Sequence, residues 1–204
     1  MKVWTNDEAR RFLEATREDR LAFAWALLLT RGLRRGELCG LKWSAIDFDA
    51  RTLRIEITRT VVGGKPATSR PKTAAGLRSI PIDARLVTLF RAHRRRQAAE
   101  KLAAGPAYED GDLLLADELG RPYHPETVSG WFDTKVAQAG LSRIRLHDCR
   151  HTAATLMLAA GTPVKVVSEV LGHASVTTTL STYAHVLPGM AEEAGARLSE
   201  SLLG

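Results

Sequence analysis

Three short segments of the chain combine residue types that can do chemistry. They are G-L-R-R-G-E-L at 32–38, H-D-C-R-H at 147–151, and a run from L-G-H at 171–173 through T-T-T at 177–179 to Y-A-H-V at 183–186. Each has an ordinary structural explanation: a helix start with two solvated arginines, a polar helix N-terminus, and a glycine-broken helix pair with a surface tyrosine. The order and spacing of all three segments together is more informative than any one of them.

The H-D-C-R-H segment also permits a metal site. His147 and His151 are four residues apart and so share one helix face, and Asp148 stands where zinc proteases carry a glutamate base. Two features argue against a metal. Arg150 would place a fixed positive charge beside a divalent cation, and the downstream histidines are poorly placed as a third ligand. A metal-dependent hydrolase using His147 and His151 therefore remains the less favoured alternative.

A fourth segment, P-K-T at 71–73, precedes a predicted strand and completes a known order of motifs. Taken in sequence, G-L-R-R-G-E-L, P-K-T, H-D-x-R-H-T, L-G-H and Y-A-H-V resemble the motifs of the tyrosine recombinase, or phage integrase, family. The resemblance covers nearly the whole chain, from Val3 to about Leu198. It is strongest to integrases of actinobacterial phages and mobile elements.

The resemblance implies six catalytic residues, each matched to a family motif: Arg34, Lys72, His147, Arg150, His173 and Tyr183. Two guanidinium groups can bind the non-bridging oxygens of a DNA phosphodiester bidentately, which lysine cannot do. Arg34 and Arg150 would take this role, and His173 would donate a further hydrogen bond. Loss of one such donor typically lowers a rate by about 10²–10³.

The remaining matched residues would supply the nucleophile and transfer protons. Only about 0.1% of an unperturbed tyrosine is ionised at pH 7, so Tyr183 needs a base or an electropositive site. His147 is the candidate base, and Lys72 would protonate the leaving 5′ oxygen. Glu37 resembles a family acidic position that supports the arginine, and His151 is interpreted as structural.

The implied function is site-specific DNA recombination, in integration or excision, by strand cleavage to a 3′-phosphotyrosyl intermediate and rejoining. The phosphotyrosyl bond conserves the energy of the broken bond, so the reaction requires no cofactor and no metal. The implied partners are double-stranded DNA attachment sites, a homotetramer on DNA with a monomer off DNA, and an optional directionality factor. A non-catalytic DNA-binding regulator on the same fold is the main alternative, although all six catalytic positions are filled.

Composition agrees with a polyanionic partner. The 204 residues carry 29 Lys and Arg against 23 Asp and Glu, a formal charge of +6. Candidate DNA contacts are Lys42, Lys65, Arg70 and Arg78. The longest apolar run has nine residues, less than half of the about 20 that a membrane helix needs. No secretory signal and no disulfide framework are visible, since there are only two cysteines, so a cytoplasmic location is expected.

The elements that must position these residues predict an α+β fold, mainly α-helical with a small antiparallel β-sheet. Helices are predicted over 5–15, 21–30, 34–42, 84–104, 125–139, 147–160, 163–171, 176–183 and 192–203. Apolar alternation predicts one strand over 52–60 and another over 77–82, with a turn at Gly63-Gly64 and the Lys72 loop between them. A short strand is expected over 112–116.

The expected domain organisation rests on the family resemblance and on a Pro-Gly pair that interrupts the helical pattern near the C-terminus. We expect a catalytic domain over 1–187 and a C-terminal tail helix over 188–204, set off by Pro188-Gly189 and open to exchange between protomers. The family's N-terminal core-binding domain is expected to be absent, as in an excised fragment or a truncated gene. DNA binding by such a chain should be weak and sensitive to salt.

Overall fold

The computed structural model of the protein describes residues 2–71, 74–184 and 190–203. The helices are α1 (Asn6–Ala15), α2 (Ala22–Arg31), α3 (Arg35–Cys39), α4 (Ala84–Ala104), α5 (Pro125–Gln138), α6 (Asp148–Ala159), α7 (Val164–Leu171), α8 (Val176–Tyr183) and α9 (Met190–Leu203). The strands are β1 (Ile46–Asp47), β2 (Thr52–Ile55), β3 (Thr58–Val62), β4 (Lys65–Ser69) and β5 (Arg78–Pro81). The prediction of a mainly helical α+β fold is confirmed.

The first helix begins as its sequence predicts. The Thr5 hydroxyl accepts a hydrogen bond from the Glu8 N–H at 3.2 Å, and the Glu8 carboxylate accepts one from the Thr5 N–H at 2.9 Å. This reciprocal capping box satisfies donors that have no partner inside the helix. The helix then presents Phe12 to the core, where its ring lies 5.3 Å from that of Phe132 on α5.

The N-terminal segment is tied directly to the helix that carries the second candidate motif. The Trp4 N–H donates to the Thr152 hydroxyl on α6 at 3.1 Å, and the Trp4 indole donates to the Ser142 carbonyl oxygen at 2.9 Å. Helix α2, which is buried on nearly every side, packs against both α6 and α4. Because α2 leads into Gly32 and Arg34, this packing brings the first and second candidate motifs together.

The strands form two small antiparallel sheets instead of one. One has the order β1-β2-β5, with Leu53 opposite both Ile46 and Ile80, and the other is the β3-β4 hairpin closed by Gly63-Gly64. The prediction of a continuous strand over 52–60 was therefore wrong in detail. The chain leaves the first sheet where the Ile57 carbonyl passes Gly40, so closely that an added Cβ would lie 2.7 Å from its oxygen. The hairpin can then pack on α3.

Other differences are local. The predicted strand over 112–116 is reduced to isolated bridges of Leu113 with Lys42 and of Ala116 with Pro122. The helix predicted over 34–42 is the five-residue α3, because Arg34 caps its start and Gly40 closes its end. Within the described ranges, no helix is long and apolar enough to cross a membrane.

Candidate active site

Arg34 is held at the start of α3 by the carboxylate one turn later. Its backbone N–H donates to Glu37 Oε2 and its Nη1 to Glu37 Oε1, both at 2.8 Å. Its Nη2 donates to the Gly172 carbonyl oxygen at a longer 3.4 Å. The side chain is 41% exposed, so a fixed guanidinium faces solvent at this point.

Glu37 bridges Arg34 to a second guanidinium, that of Arg78 on β5. Arg78 Nη1 and Nη2 donate to the two carboxylate oxygens at 2.9 and 3.0 Å, and its Nε donates to the Val170 carbonyl oxygen at 2.8 Å. Burial acts to raise the pKa of Glu37, but the hydrogen bonds and charges of Arg78 and Arg34 outweigh it, and the net pKa is lowered. The ion pair therefore joins β5, α3 and the end of α7.

This geometry changes the interpretation of Arg78, which the sequence suggests as a DNA contact. Its side chain is 8% exposed, and its donors are used by Glu37 and Val170. Arg78 supports the site from within the protein and does not present its guanidinium to a ligand surface.

Arg150 lies in the first turn of α6 and is 4% exposed. Its Nη1 donates to the Gly32 carbonyl oxygen at 2.9 Å, while its Nη2 has no hydrogen-bond partner in the described part of the chain. Burial, and then the charge of Arg34, lower the pKa of Arg150 to about 9. A buried charged donor without a partner is unfavourable, and an anionic oxygen would satisfy it.

His173 follows α7 after Gly172, whose left-handed φ of 69° turns the chain back towards Arg34. Its Nδ1 lies 2.8 Å from the buried Thr179 hydroxyl. Burial and the charges of Arg150 and Arg34 lower the pKa of His173 to about 4, so the ring is neutral at pH 7. When Thr179 donates to Nδ1, the ring proton is on Nε2 and His173 can donate a hydrogen bond to a ligand.

Tyr183 ends α8 with its ring packed among aliphatic side chains of α6 and α7. The residue is 1% exposed, and its hydroxyl lies 2.9 Å from His151 Nδ1. Burial raises the pKa of Tyr183, and the charge of Arg150 opposes that rise. The histidine that contacts the candidate nucleophile is therefore His151 and not His147, the base that the sequence suggests.

His147 occupies the N-cap position of α6, makes no capping hydrogen bond through its side chain, and is exposed. Its ring is perpendicular to that of His151, with 5.3 Å between the centroids. Loss of hydration and the charge of Arg150 lower the pKa of His147, and loss of hydration and the charge of His147 lower that of His151. Sequence reasoning missed the contact of His151 with Tyr183, although the position of His151 beside Arg150 was the available signal.

The other predicted residues lie around this centre. Lys72 lies outside the described residues. Lys65 begins β4 and Arg70 follows its end, and both side chains are exposed on the β3-β4 hairpin. Lys42 is partly buried, and its backbone pairs with that of Leu113.

The segment that suggested a metal site has other partners. Asp148 accepts three hydrogen bonds from Arg145, from its backbone N–H, its Nε and its Nη2, at 3.0 to 3.1 Å. His151 Nδ1 is engaged by Tyr183. Over the described ranges, no group of three or more His, Cys, Asp or Glu side chains could hold a metal ion.

Similarity to known proteins extends over the whole site. The chain is 33% identical to a XerC-like tyrosine recombinase of Caldanaerobacter subterraneus, over 92% of this chain and 51% of that protein. It is 28% identical to the ICEBs1 integrase of Bacillus subtilis, over 99% of this chain and 55% of that protein. The chain thus spans about half the length of the curated relatives it matches.

Solved structures of recombinases are also similar to this chain. The integrase of the Tn1549 transposon, in complex with circular intermediate DNA, superposes with a TM-score of 0.78 at 26% identity, over 97% of this chain and 66% of that chain. A XerA recombinase gives 0.69 at 25% identity, over 88% and 59%. The model of the phage integrase family matches residues 2–190. With its arginines, histidines and tyrosine assembled around one centre, the chain belongs to the phage integrase family of tyrosine recombinases.

Proposed function

We propose that this chain catalyses DNA strand cleavage and rejoining through Tyr183, as the catalytic part of a site-specific recombinase acting in integration or excision. One observation carries the proposal: each of the two candidate arginines donates a hydrogen bond to a backbone carbonyl of another candidate motif. Arg34 donates to the carbonyl of Gly172, next to His173, and Arg150 donates to the carbonyl of Gly32, two residues before Arg34. These contacts interlock three motifs that are distant in sequence around one anion-binding centre.

In the proposed reaction, the scissile phosphate binds between Arg34 and Arg150. The partnerless Nη2 of Arg150 and the exposed edge of Arg34 donate to its non-bridging oxygens, and neutral His173 donates from Nε2. Arg34 and His173 are held by Glu37 and Thr179 before the substrate binds, whereas the buried Nη2 of Arg150 becomes accessible as the phosphate enters. Donors held in this way stabilise the charge that develops on phosphorus with little reorganisation.

The nucleophilic step requires a proton acceptor, because burial raises the pKa of Tyr183. His151, neutral at pH 7, has its Nδ1 2.9 Å from the hydroxyl and is the nearest described acceptor. The phenol proton passes to this imidazole, the Tyr183 Oη–P bond forms, and the P–O5′ bond breaks. Lys72 supplies the proton of the leaving 5′ oxygen, as the family resemblance implies, and His147 stands beside His151 as the relay to solvent.

The proposed partners are double-stranded DNA attachment sites, with four protomers on DNA, one protomer off DNA, and a directionality factor where the direction is controlled. We propose a catalytic domain over 1–187 and a tail over 188–204 that docks on a neighbouring protomer. The tail exposes three leucines, with exposed fractions of 60, 72 and 87%: Leu198, Leu202 and Leu203. Light scattering tests this assembly: a stable tetramer without DNA would contradict it.

A covalent-trapping assay tests the proposed function. Nicked suicide duplexes with a randomised core are incubated with the protein in EDTA, and SDS-resistant protein–DNA adducts are isolated. We expect an adduct with the wild type and none with Tyr183→Phe, which retains the ring in its packed position. Dependence of the activity on metal would favour a hydrolase instead. DNA binding without any adduct, even after fusion to the N-terminal part of a relative, would favour a non-catalytic regulator.

A further inference from the structure

A basic groove lies along the outer face of α4, and none of the residues that line it belongs to the active site described above. It has a volume of about 730 Å³ and is lined mainly by Phe48 and by Arg91, Arg94 and Arg95 of the helix. The opposite face of α4 is buried, with Phe90 in the core. The three arginines are all exposed, and they are spaced i, i+3 and i+4, so they project from one side of the helix.

Two of these arginines rest on aromatic rings. The Arg91 guanidinium lies 5.8 Å from the ring centroid of Phe48, and the Arg94 guanidinium lies 5.7 Å from that of Trp43. At these distances the face of each ring attracts the cation, while the N–H donors of the guanidinium stay available to a ligand. Trp43 is itself fixed, since its indole donates to Gln97 at 2.8 Å.

The charges of the groove are not neutralised by the protein. Among the described residues, none pairs with Arg91, Arg94 or Arg95 through a salt bridge or a side-chain hydrogen bond, whereas Arg20 and Arg31 are each paired with a carboxylate. Like charges at i, i+3 and i+4 repel each other on a helix. An anionic ligand that spans the three cations would relieve this repulsion.

We propose that this groove binds the sugar–phosphate backbone of a DNA duplex, as a second DNA-contacting surface separate from the active site. Guanidiniums that contact an aromatic ring and have no described carboxylate partner suit the bidentate recognition of phosphates that repeat along a strand. The charge of the groove favours DNA over a peptide, because three arginines without carboxylate partners among the described residues line it side by side. The inference takes DNA as the ligand from the proposed function but does not depend on the cleavage chemistry.

The test compares two double variants of the same helix. Arg91→Gln with Arg94→Gln removes the ring-contacting pair, and Arg85→Gln with Arg96→Gln removes two exposed positive charges of α4 that do not line the groove. Binding of a fluorescent 30-base-pair duplex of arbitrary sequence is measured by anisotropy over a range of salt concentrations. All proteins carry Tyr183→Phe, so that cleavage does not interfere.

For the ring-contacting pair, we expect the slope of log K against log[salt] to fall by about 1.8, which corresponds to two lost phosphate contacts. The matched pair should leave the slope unchanged. Equal losses in the two variants, or no loss in either, would overturn the proposal. It would also be overturned if the ring-contacting pair affected only the binding of poly-glutamate, which would identify an acidic protein as the partner. Circular dichroism melts confirm that both variants are folded.

A second readout separates this proposal from the proposed function. With Tyr183 intact, the variant of the ring-contacting pair should form the covalent adduct on a short suicide duplex at the wild-type rate. If no protein forms an adduct, the proposed function fails, and the change of salt slope still decides whether the groove binds DNA. If the variant of the ring-contacting pair alone loses the adduct, the groove is part of the active-site binding surface and the proposal of a separate surface is wrong.

Discussion

The hydroxyl of Tyr183 lies 2.9 Å from Nδ1 of His151, while the tyrosine ring is enclosed by aliphatic side chains and only 1% of the residue is exposed. The proposed nucleophile is therefore oriented through its oxygen and its ring at the same time. In this arrangement the imidazole is both the hydrogen-bond partner that positions the phenol and the nearest acceptor for its proton.

Replacement of His151 by phenylalanine should slow adduct formation by about 10²-fold, which is typical of the loss of a general base. The pKa of His151 is lowered from 6.5, so the ring is neutral at pH 7. The wild-type rate should therefore fall only as the pH drops below 6.5 and the ring becomes protonated. Single-turnover rates between pH 5 and 8 measure this.

His147→Phe is the matched control, because His147 is the base that the sequence suggests. We expect it to keep the acidic limb of the pH profile, which His151→Phe should lose. If the two variants behave in the opposite way, His147 is the base and the contact of His151 with Tyr183 serves only to position the ring.

Replacement of Arg150 by lysine should lower the rate of adduct formation by about 10²–10³-fold. Lysine keeps the charge but cannot donate to the Gly32 carbonyl and to a phosphate oxygen in the planar geometry of a guanidinium. Arg143→Lys, at a side chain that is 77% exposed, should have no effect on the rate. Equal rates for the wild type and Arg150→Lys would show that only the charge at this position matters.

Glu37→Gln should destabilise the fold by about 3–5 kcal/mol, because it leaves the buried Arg78 without its counter-ion. Since the pKa of Glu37 is lowered in the folded state, its stabilising effect is complete above 4.5 and is lost as the pH falls through the folded pKa. Urea unfolding at pH 7 and at pH 3 should show a large difference from the wild type at pH 7 and a smaller one at pH 3.

The control for Glu37 is Glu169→Gln, which removes a carboxylate from a solvent-exposed pair with Lys165. This substitution should change the free energy of unfolding by less than about 0.5 kcal/mol. A comparable loss in the two variants would mean that the ion pairs of Glu37 contribute no more than a surface pair.

Gly32→Ala should destabilise the protein by more than about 1–2 kcal/mol, which is the usual penalty of a left-handed conformation for other residues. The φ of Gly32 is 63°, and an added Cβ would also lie 2.5 Å from a methyl carbon of Leu171. Gly130→Ala, in the middle of α5 with nothing within 4 Å of the added atom, should instead stabilise by about 0.5–1 kcal/mol. Thermal denaturation of both variants checks the sign of each change.

The sequence was most informative where local rules determine structure. The Thr5–Glu8 capping box and the glycines that end helices place most helices within one or two residues of the observed bounds. Arg34, Arg150, His173 and Tyr183 were matched through the resemblance of their short motifs to those of the family, which requires no knowledge of contacts between distant segments.

The errors concern contacts between distant segments. Arg78 resembles any basic strand residue until Glu37, 41 positions earlier, is seen to accept both of its Nη donors. The contact of His151 with Tyr183 joins residues 32 positions apart. Likewise, the break between β2 and β3 depends on the close approach of Ile57 to Gly40, which no periodicity of either segment records.

The carboxylate of Glu37, which bridges two arginines, lowers the net positive charge of the centre. Arg34, Arg78 and Arg150 contribute three positive charges against its single negative one, and His173 is neutral, so two positive charges remain. A DNA phosphodiester brings one negative charge, whereas the five-coordinate phosphorus species formed by attack of the tyrosine carries two. In the proposed reaction the proton of Tyr183 moves onto His151, so the positive charge of the centre rises together with the negative charge on phosphorus. Such a centre would bind the five-coordinate species more firmly than the phosphodiester of intact or rejoined DNA, which favours both exchange and release of the finished strands.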